Sequence, residues 1–306
     1  MRLLNVIGVP TAELAPAIES GDILTHPDKP FELSRQDQAN LLGVQQANRA
    51  VHKNIAYRPE SRRVTGLGNL DGEHRETVTR VLKKYSEWAV HFTAELLPQY
   101  SHDWRIDYTS FRGIEEQGRE LPWKKRNDLL HTDAFPSRPT HGDLILRIFT
   151  NVNPQKDRTW IVSDPFPLIA EQYAVAAGLM RFAAQGGSLG GKIGGSLIRL
   201  ARAAGLPAAD RSPYDRFMLA FHDYLKANPD FQRRCAKYRF AFPPNSTWLV
   251  FTDVVPHSVI SGQFALEQTL IVSRRSLSLP DQAPIAVLER LSHTRLAPSR
   301  TSASGA

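Results

Sequence analysis

Residues 129–154 read LLHTDAFPSRPTHGDLILRIFTNVNP and hold His-x-Asp twice, as His131-Thr132-Asp133 and His141-Gly142-Asp143. Side chains one residue apart point to the same side of an extended chain. A histidine and an aspartate placed this way can take one side of a metal ion. A second histidine from a distant strand then completes the two-histidine, one-carboxylate set of a non-haem ferrous centre with open positions. The chain contains ten histidines, so the tripeptide means little alone and its surroundings decide. His131 follows Leu129 and Leu130, as expected at the end of a buried strand. His141 and Asp143 flank Gly142 after PSRPT, which is the chemistry of a surface turn. The pair to expect at a metal is therefore His131 and Asp133.

The distal histidine should follow one strand and precede another. The stretch PPNSTWLVFTDVVPHSVISGQFALEQTLIV (243–272) offers His257 after a strand and a turn set by Pro256. The competing reading of His257 is a hydrogen-bonded turn or core histidine. His26, His52, His74, His91, His102, His222 and His293 have no such arrangement and read as solvated or satisfied residues.

Several elements must carry these groups. Residues 32–54 begin with Ser34 and Asp37 at capping-box spacing and read as a helix. A stronger helix spans 73–97, with Val78, Val81, Leu82, Tyr85, Trp88, Ala89 and Phe92 on one face and Pro98 ending it. Alternation and aromatic content predict strands at 104–112, 144–152 and 159–163. The stretch from 165 to about 234 is rich in Ala, Leu and Arg and helical in period, interrupted by QGGSLGGKIGG and by Pro207, Pro213 and Pro229. Strand patterns return at 237–242, 247–254 and 262–273. Short strands around one long helical insertion predict a mainly β core, an antiparallel barrel or jelly roll with helices outside. The boundaries expected are one domain over 1–296, made of a helical N-terminal part (1–103) and a β core (104–275) containing the insertion. Residues 297–306 read as a disordered tail.

The formal charge is +7 across 306 residues, which suits an anionic partner such as nucleic acid, an anionic membrane or an acidic small molecule, and equally suits simple solubility. No zinc finger, RNA-recognition signature or dense basic stripe with aromatics points to nucleic acid, so none is expected. The single cysteine, Cys235, excludes an internal disulfide and a Cys-rich zinc site. Pro10 and Glu13 break the apolar N-terminal run, and no stretch reaches the roughly 18 apolar residues of a membrane span. A cytoplasmic protein is expected.

The segments RNDLLHTDAFPSRPTHGDLILRIFTNVNP, RTWIVSDPF and WLVFTDVVPHSVISGQFALEQT resemble the Fe(II)- and 2-oxoglutarate-dependent dioxygenases, and among them the Kdo (3-deoxy-D-manno-oct-2-ulosonic acid) hydroxylase family. IAYRPESRRVTG (55–66) and YTSFRGIEEQGR (108–119) extend the resemblance more weakly. It implies a double-stranded β-helix binding Fe(II) through His131, Asp133 and His257, with 2-oxoglutarate and O2 as cosubstrates and ascorbate as a candidate reductant. It also implies hydroxylation at C3 of Kdo in the lipopolysaccharide inner core, giving Ko, succinate and CO2. The acceptor would then be an anionic sugar or Kdo-lipid A, met at the cytoplasmic face of the inner membrane.

The far carboxylate of 2-oxoglutarate needs a cation, because a buried carboxylate is tolerated only when paired. Many relatives place Arg or Lys about ten residues after the distal histidine, where this chain has Glu267 and Gln268. Arg147, within the apolar run LILRIFTNV and on one face with Ile145, Phe149 and Asn151, is the better candidate. Its alternative is a structural ion pair with Glu267. Arg274 and Arg275 stand in reserve, and Asn151 or Gln268 could assist. For the substrate, Arg138 comes first, then Arg112, Arg126 and Arg158. The segment GGKIGGSLIRLARAAGLP (190–207) could rest on an anionic membrane or pack as an ordinary helix, and its glycines lack phosphate-loop spacing. Two other readings stay open: a dioxygenase with a different substrate, and a basic non-catalytic binding module.

Overall fold

The computed structural model describes residues 1–27, 31–47, 55–68, 70–187 and 210–298. Its centre is two sheets. The larger is eight-stranded, in the order β1-β2-β9-β6-β11-β5-β3-β4, and the smaller is β10-β7-β8. Their strands are β1 (Leu3–Asn5), β2 (Ile23–His26), β3 (Ile55–Arg58), β4 (Arg63–Thr65), β5 (Trp104–Arg112), β6 (Leu144–Asn151), β7 (Arg158–Val162), β8 (Tyr238–Phe242), β9 (Thr247–Phe251), β10 (His257–Ser261) and β11 (Ala265–Val272). β1 and β2 pair in parallel and every other pairing is antiparallel.

The sheets meet over aromatic rings. Phe149 of β6 and Trp248 of β9 stack at 5.2 Å, Trp160 of β7 packs edge-on to both, and Phe242 of β8 stacks on Trp248 at 3.9 Å. All four are buried. Such rings contribute both area and directional contacts to the core. Alternation along β6 then puts Arg147 on the same inner face as Phe149.

The opposite face of the large sheet is covered by helix α3 (Gly72–Leu96), whose side-chain cap is Asp71. Of the residues its period placed inward, all but the half-buried Trp88 are buried, and the Tyr85 hydroxyl donates to the Ile148 carbonyl at 3.2 Å. Helices α1 (Thr11–Glu19) and α2 (Arg35–Ala47) precede it. At α2 the Asp37 amide donates to Ser34 Oγ, as the capping pattern predicts, while the expected continuation to residue 54 lies outside the described residues. Reading residues 1–103 as helical requires correction, since β1 to β4 lie there and extend the large sheet at both edges. Each has only three or four residues, too few for a period-2 pattern to show.

The helical stretch after residue 165 holds α4 (Phe166–Tyr173), α5 (Leu179–Gly187), α6 (Pro213–Ala227) and α7 (Pro229–Arg234). Pro213 and Pro229 begin helices, where a missing N–H costs nothing. Pro207 and the segment 190–207 lie outside the described residues. Helix α8 (Pro284–Ser292) follows the last strand and had no sequence expectation. The tail begins later than expected: Ala297 is buried and the Pro298 carbonyl accepts from Arg274 Nη2, while 299–306 lie outside the described residues.

The second His-x-Asp is a turn, as its composition indicated. His141 and Gly142 both have positive φ, 54° and 95°. The amides of Thr140 and His141 donate to Asp215 Oδ1 at 2.8 and 3.1 Å, while Asp215 Oδ2 closes the capping box of α6 with Ser212. This turn therefore holds the start of α6. A Cβ on Gly142 would lie 2.3 Å from Ile285 Cδ1 and 3.1 Å from Ile285 Cβ of α8. Gly142→Ala is expected to lower stability by about 2 kcal/mol, read as a lower Tm in thermal denaturation. An unchanged Tm would contradict this role for the turn.

Candidate metal centre

His131 and His257 sit opposite each other as an isolated antiparallel bridge. The His131 amide donates to the His257 carbonyl at 3.1 Å, and the His257 amide returns the bond at 2.9 Å. The Asp133 amide donates to the Thr252 carbonyl at 2.9 Å, which ties the other end of the segment to the residue after β9. The expected strand end before Asp133 is thus two bridging residues, and His257 opens β10, a strand that the expected turn at Pro256 had hidden. One ligand atom from each of His131, Asp133 and His257 lies within 4.8 Å of the others, and all three residues are buried.

Both imidazoles are oriented alike. His131 Nδ1 donates to the Leu129 carbonyl at 2.7 Å, and His257 Nδ1 donates to the Val255 carbonyl at 2.9 Å. An Nδ1–H fixed on a carbonyl leaves Nε2 as the free lone pair, the tautomer a metal requires. Trp160 stacks on the His257 ring at 5.2 Å, and His222 of α6 meets the His131 ring edge-on at 4.8 Å. Burial first, then His257, Lys226 and His222, lowers the proton affinity of His131 well below the usual histidine range. Burial likewise lowers that of His257 against the pull of Asp133. Both shifts favour the neutral ring, the form that binds a metal.

Asp133 is anionic. Burial alone would raise its pKa, but Arg147, His257 and His131 outweigh burial and hold it far below the usual carboxylate range. Its Oδ2 is buried and receives no hydrogen bond. Arg147 Nη1 stands 2.9 Å from that oxygen and His257 Nε2 3.9 Å from it, as ionic contacts. Two imidazoles with free Nε2 atoms and a buried carboxylate make a donor set that fits a divalent first-row metal.

A charge network supports the centre. Arg147 Nε lies 3.0 Å from Glu267 Oε1, and Glu267 Oε2 accepts from Arg112 Nε at 2.7 Å and from Ser110 at 3.0 Å. Burial would raise the Glu267 carboxyl, but Arg112 and Arg147 bring it down to about 2. The alternative reading of Arg147, an ion pair with Glu267, is the geometry found. Arg158 differs. It is 0% exposed, its Nη1 donates to the Gly262 carbonyl at 3.0 Å, and its Nε and Nη2 have no hydrogen-bond partner. Glu116 stands 3.9 Å away, and burial first, Arg112 second, lowers the Arg158 pKa to about 10.

The centre opens into a cavity of about 280 Å³ whose lining includes His131, Asp133, His257, Arg112, Arg147 and Arg158. Its wall also includes Trp160, His222 and Lys226, and Lys124 and Lys125 form part of the rim. The other sequence candidates lie elsewhere. Asn151 is locked in the β6 turn by bonds to Lys156, Phe242 and Asn153. Gln268 faces away from Glu267 and bonds Thr109 and Asp107. Arg274 bonds Pro298, and neither it nor Arg275 lines the cavity. Arg126 is engaged by Asp128. Arg138 stacks between Phe135 and Tyr108, pairs with Asp107 and lines a separate groove with Arg58 and Trp104. His222, read as a satisfied histidine, is one, with Nδ1 on the Thr132 carbonyl at 2.8 Å, and it also lines the cavity. The i, i+4 spacing of His222 and Lys226, which puts both on one face of α6, was the signal available.

A mainly β core with a buried facial His-Asp-His set defines a mononuclear non-haem metal protein. The sequence profile of the 3-deoxy-D-manno-oct-2-ulosonic acid (Kdo) hydroxylase family matches residues 6–295, and the chain belongs to that family. Among solved structures it is similar to the Kdo hydroxylase KdoO, a non-haem Fe(II) α-ketoglutarate-dependent dioxygenase, in complex with α-ketoglutarate and Fe(III). That match has a TM-score of 0.81 and 32% identity, covering 95% of this chain and 92% of the other. The apo form of KdoO matches at TM-score 0.82 and 32% identity, over 95% and 93% of the two chains. The cobalt(II) complex matches at 0.81 and 33%, with the same coverage. No curated protein matches.

Glu267 gives the centre an acid limit. Its carboxyl stands at about 2 in the folded chain against an ordinary value of 4.5. As pH falls, the unfolded chain takes up the proton first, so stability carried by this group is full above about 4.5 and is lost toward about 2. Glu267→Gln is expected to cost about 3 kcal/mol at neutral pH. In urea unfolding at stepped pH, the difference from wild type should narrow through that window. A constant difference would contradict the pairing.

Proposed function

We propose that this chain is an Fe(II)- and 2-oxoglutarate-dependent hydroxylase that adds a hydroxyl at C3 of Kdo in the lipopolysaccharide inner core, turning Kdo into Ko. The observation that carries the reading is the buried His131, Asp133 and His257 set, with both Nδ1 atoms fixed on carbonyls, in a chain of the Kdo hydroxylase family. The two sheets facing each other across the aromatic core support a double-stranded β-helix. Bound here, Fe(II) with 2-oxoglutarate and O2 would supply the oxidising power to hydroxylate an unactivated C–H bond, with succinate and CO2 as co-products.

The chain's own residues bind and orient. His131, Asp133 and His257 hold the metal. Arg147, engaged by Asp133 through Nη1 and by Glu267 through Nε, positions the Asp133 carboxylate. The far carboxylate of 2-oxoglutarate goes instead to Arg158, whose two unpartnered nitrogens are the buried donors that a carboxylate satisfies. Arg112 beside it adds positive field. The apolar faces of Phe149 and Trp160 exclude water from that wall. The exposed Trp123, beside Lys124, Lys125 and Arg126 near the cavity rim, suits peripheral contact with the cytoplasmic face of the inner membrane, where Kdo-lipid A is presented.

The test is incubation with Fe(II), 2-oxoglutarate, O2 and Kdo-lipid A, followed by product mass. One added oxygen with equimolar succinate is expected, and no product with any Kdo acceptor would contradict the reading. Arg158→Met should raise the KM for 2-oxoglutarate about 30-fold or more while leaving metal affinity unchanged. An unchanged KM would return the anchoring role to Arg147 or Arg112.

A further inference from the structure

The hydroxylase reading accounts for the metal set and for Arg158 but leaves one buried cation of the cavity lining without a task. Lys226, in the last turn of α6, is 5% exposed, and its ammonium donates to the Lys124 carbonyl at 3.1 Å. Among the described residues it makes no ion pair. The acids whose fields reach it are Asp133, Asp223 and Asp128. Each already holds another cation: Arg147 on Asp133, Lys124 on Asp223 at 2.9 Å, and Arg126 on Asp128 at 2.5 Å. A buried ammonium facing a cavity with one carbonyl partner is costly unless an anion completes it. Burial lowers the pKa of Lys226, the direction expected for a charge lacking its counter-ion.

Its position is fixed. The helix start is clamped by Asp215, Phe217 and Phe221 are buried beneath it, and His222 Nδ1 donates to the Thr132 carbonyl at 2.8 Å, inside the metal motif itself. Lys226 lies one turn beyond His222 and lines the same cavity as His131, Asp133 and His257. It comes from α6, whereas Arg158 comes from β7. Two anions, the cosubstrate and an acidic acceptor, must share this cavity. The chain supplies two buried, incompletely paired cations on different elements.

Resting on the hydroxylase reading, we propose that Lys226 anchors the C1 carboxylate of the acceptor sugar. The family's substrate is a 3-deoxy-2-ulosonic acid, so its methylene carbon, C3, lies two bonds from that carboxylate. Holding the carboxylate on a rigid helix beside the metal set brings C3, rather than the distal hydroxylated carbons, to the reaction centre. Lys226 is in this account a specificity-determining residue for acid over neutral sugar.

The experiment compares wild type, Lys226→Met, Lys226→Gln and Lys226→Arg on a Kdo-terminated acceptor and on its C1 methyl ester, with 2-oxoglutarate varied separately. Wild type should favour acid over ester about 30-fold or more in kcat/KM. Lys226→Met and Lys226→Gln should raise the KM for the acid by a similar factor, reduce the preference to a few-fold and leave the KM for 2-oxoglutarate unchanged. Lys226→Arg should keep most of the preference. A structural role would lower activity on both acceptors alike and keep their ratio, which overturns the proposal. Equal use of acid and ester by wild type also overturns it. So does a rise in the 2-oxoglutarate KM with the acceptor preference intact. If Lys226→Met does not fold, the glutamine and arginine variants decide by the same ratio. Wild type inactive on every Kdo acceptor overturns the hydroxylase reading itself, and this proposal with it.

Discussion

Two backbone hydrogen bonds between His131 and His257 hold the site together. They pair residues far apart in sequence, and because side-chain direction alternates along an extended chain, this register decides which way both imidazoles face. Each ring then spends its Nδ1–H on the carbonyl two residues before it. Trp160 stacks on one ring, and His222 packs edge-on against the other. The aromatic contact between the sheets therefore does more than fill a core. It sets the wall against which the distal ligand is held.

Around that pairing the chain manages buried charge. Asp133, Arg147, Glu267 and Arg112 alternate in sign, so each desolvated group has an opposite neighbour within ion-pair distance. That alternation keeps Asp133 ionised in a site where burial alone would protonate it. Arg158 and Lys226 stand outside the alternation: Arg158 has a backbone carbonyl and only a 3.9 Å contact with Glu116, and Lys226 has a backbone carbonyl and no ion pair among the described residues. In the proposed function the incoming anions go to these two cations, because a buried cation short of partners favours an anion. The buried network holds the Asp133 carboxylate.

Much of this was legible in the sequence, for reasons tied to particular residues. Leu129 and Leu130 before His131, and Gly142 inside the second tripeptide, separate metal motif from turn by local chemistry alone. Pro256 before His257 marked the distal position, although β10, with five residues, gave no strand pattern of its own. An arginine in an apolar strand needs a partner, which singles out Arg147, but a linear sequence does not show that Asp133 and Glu267 both pair with it. Arg158, at the start of β7, looked like any surface arginine because its burial depends on Gly262, whose close approach is a tertiary fact. His222 and Lys226 were hidden likewise: their spacing shows one helix face, but only the clamp between Asp215 and the turn at His141 shows which way that face looks.

The most direct test of the account is an anaerobic Co(II) titration followed by visible absorption, run on wild type and on single alanine variants at positions 131, 133, 257 and 141. The structure requires one stoichiometric ligand-field band in wild type, its loss at the first three positions, and its retention at 141. A band that survives replacement of His257 while vanishing with His141 would place the metal at the other His-x-Asp and contradict the central claim.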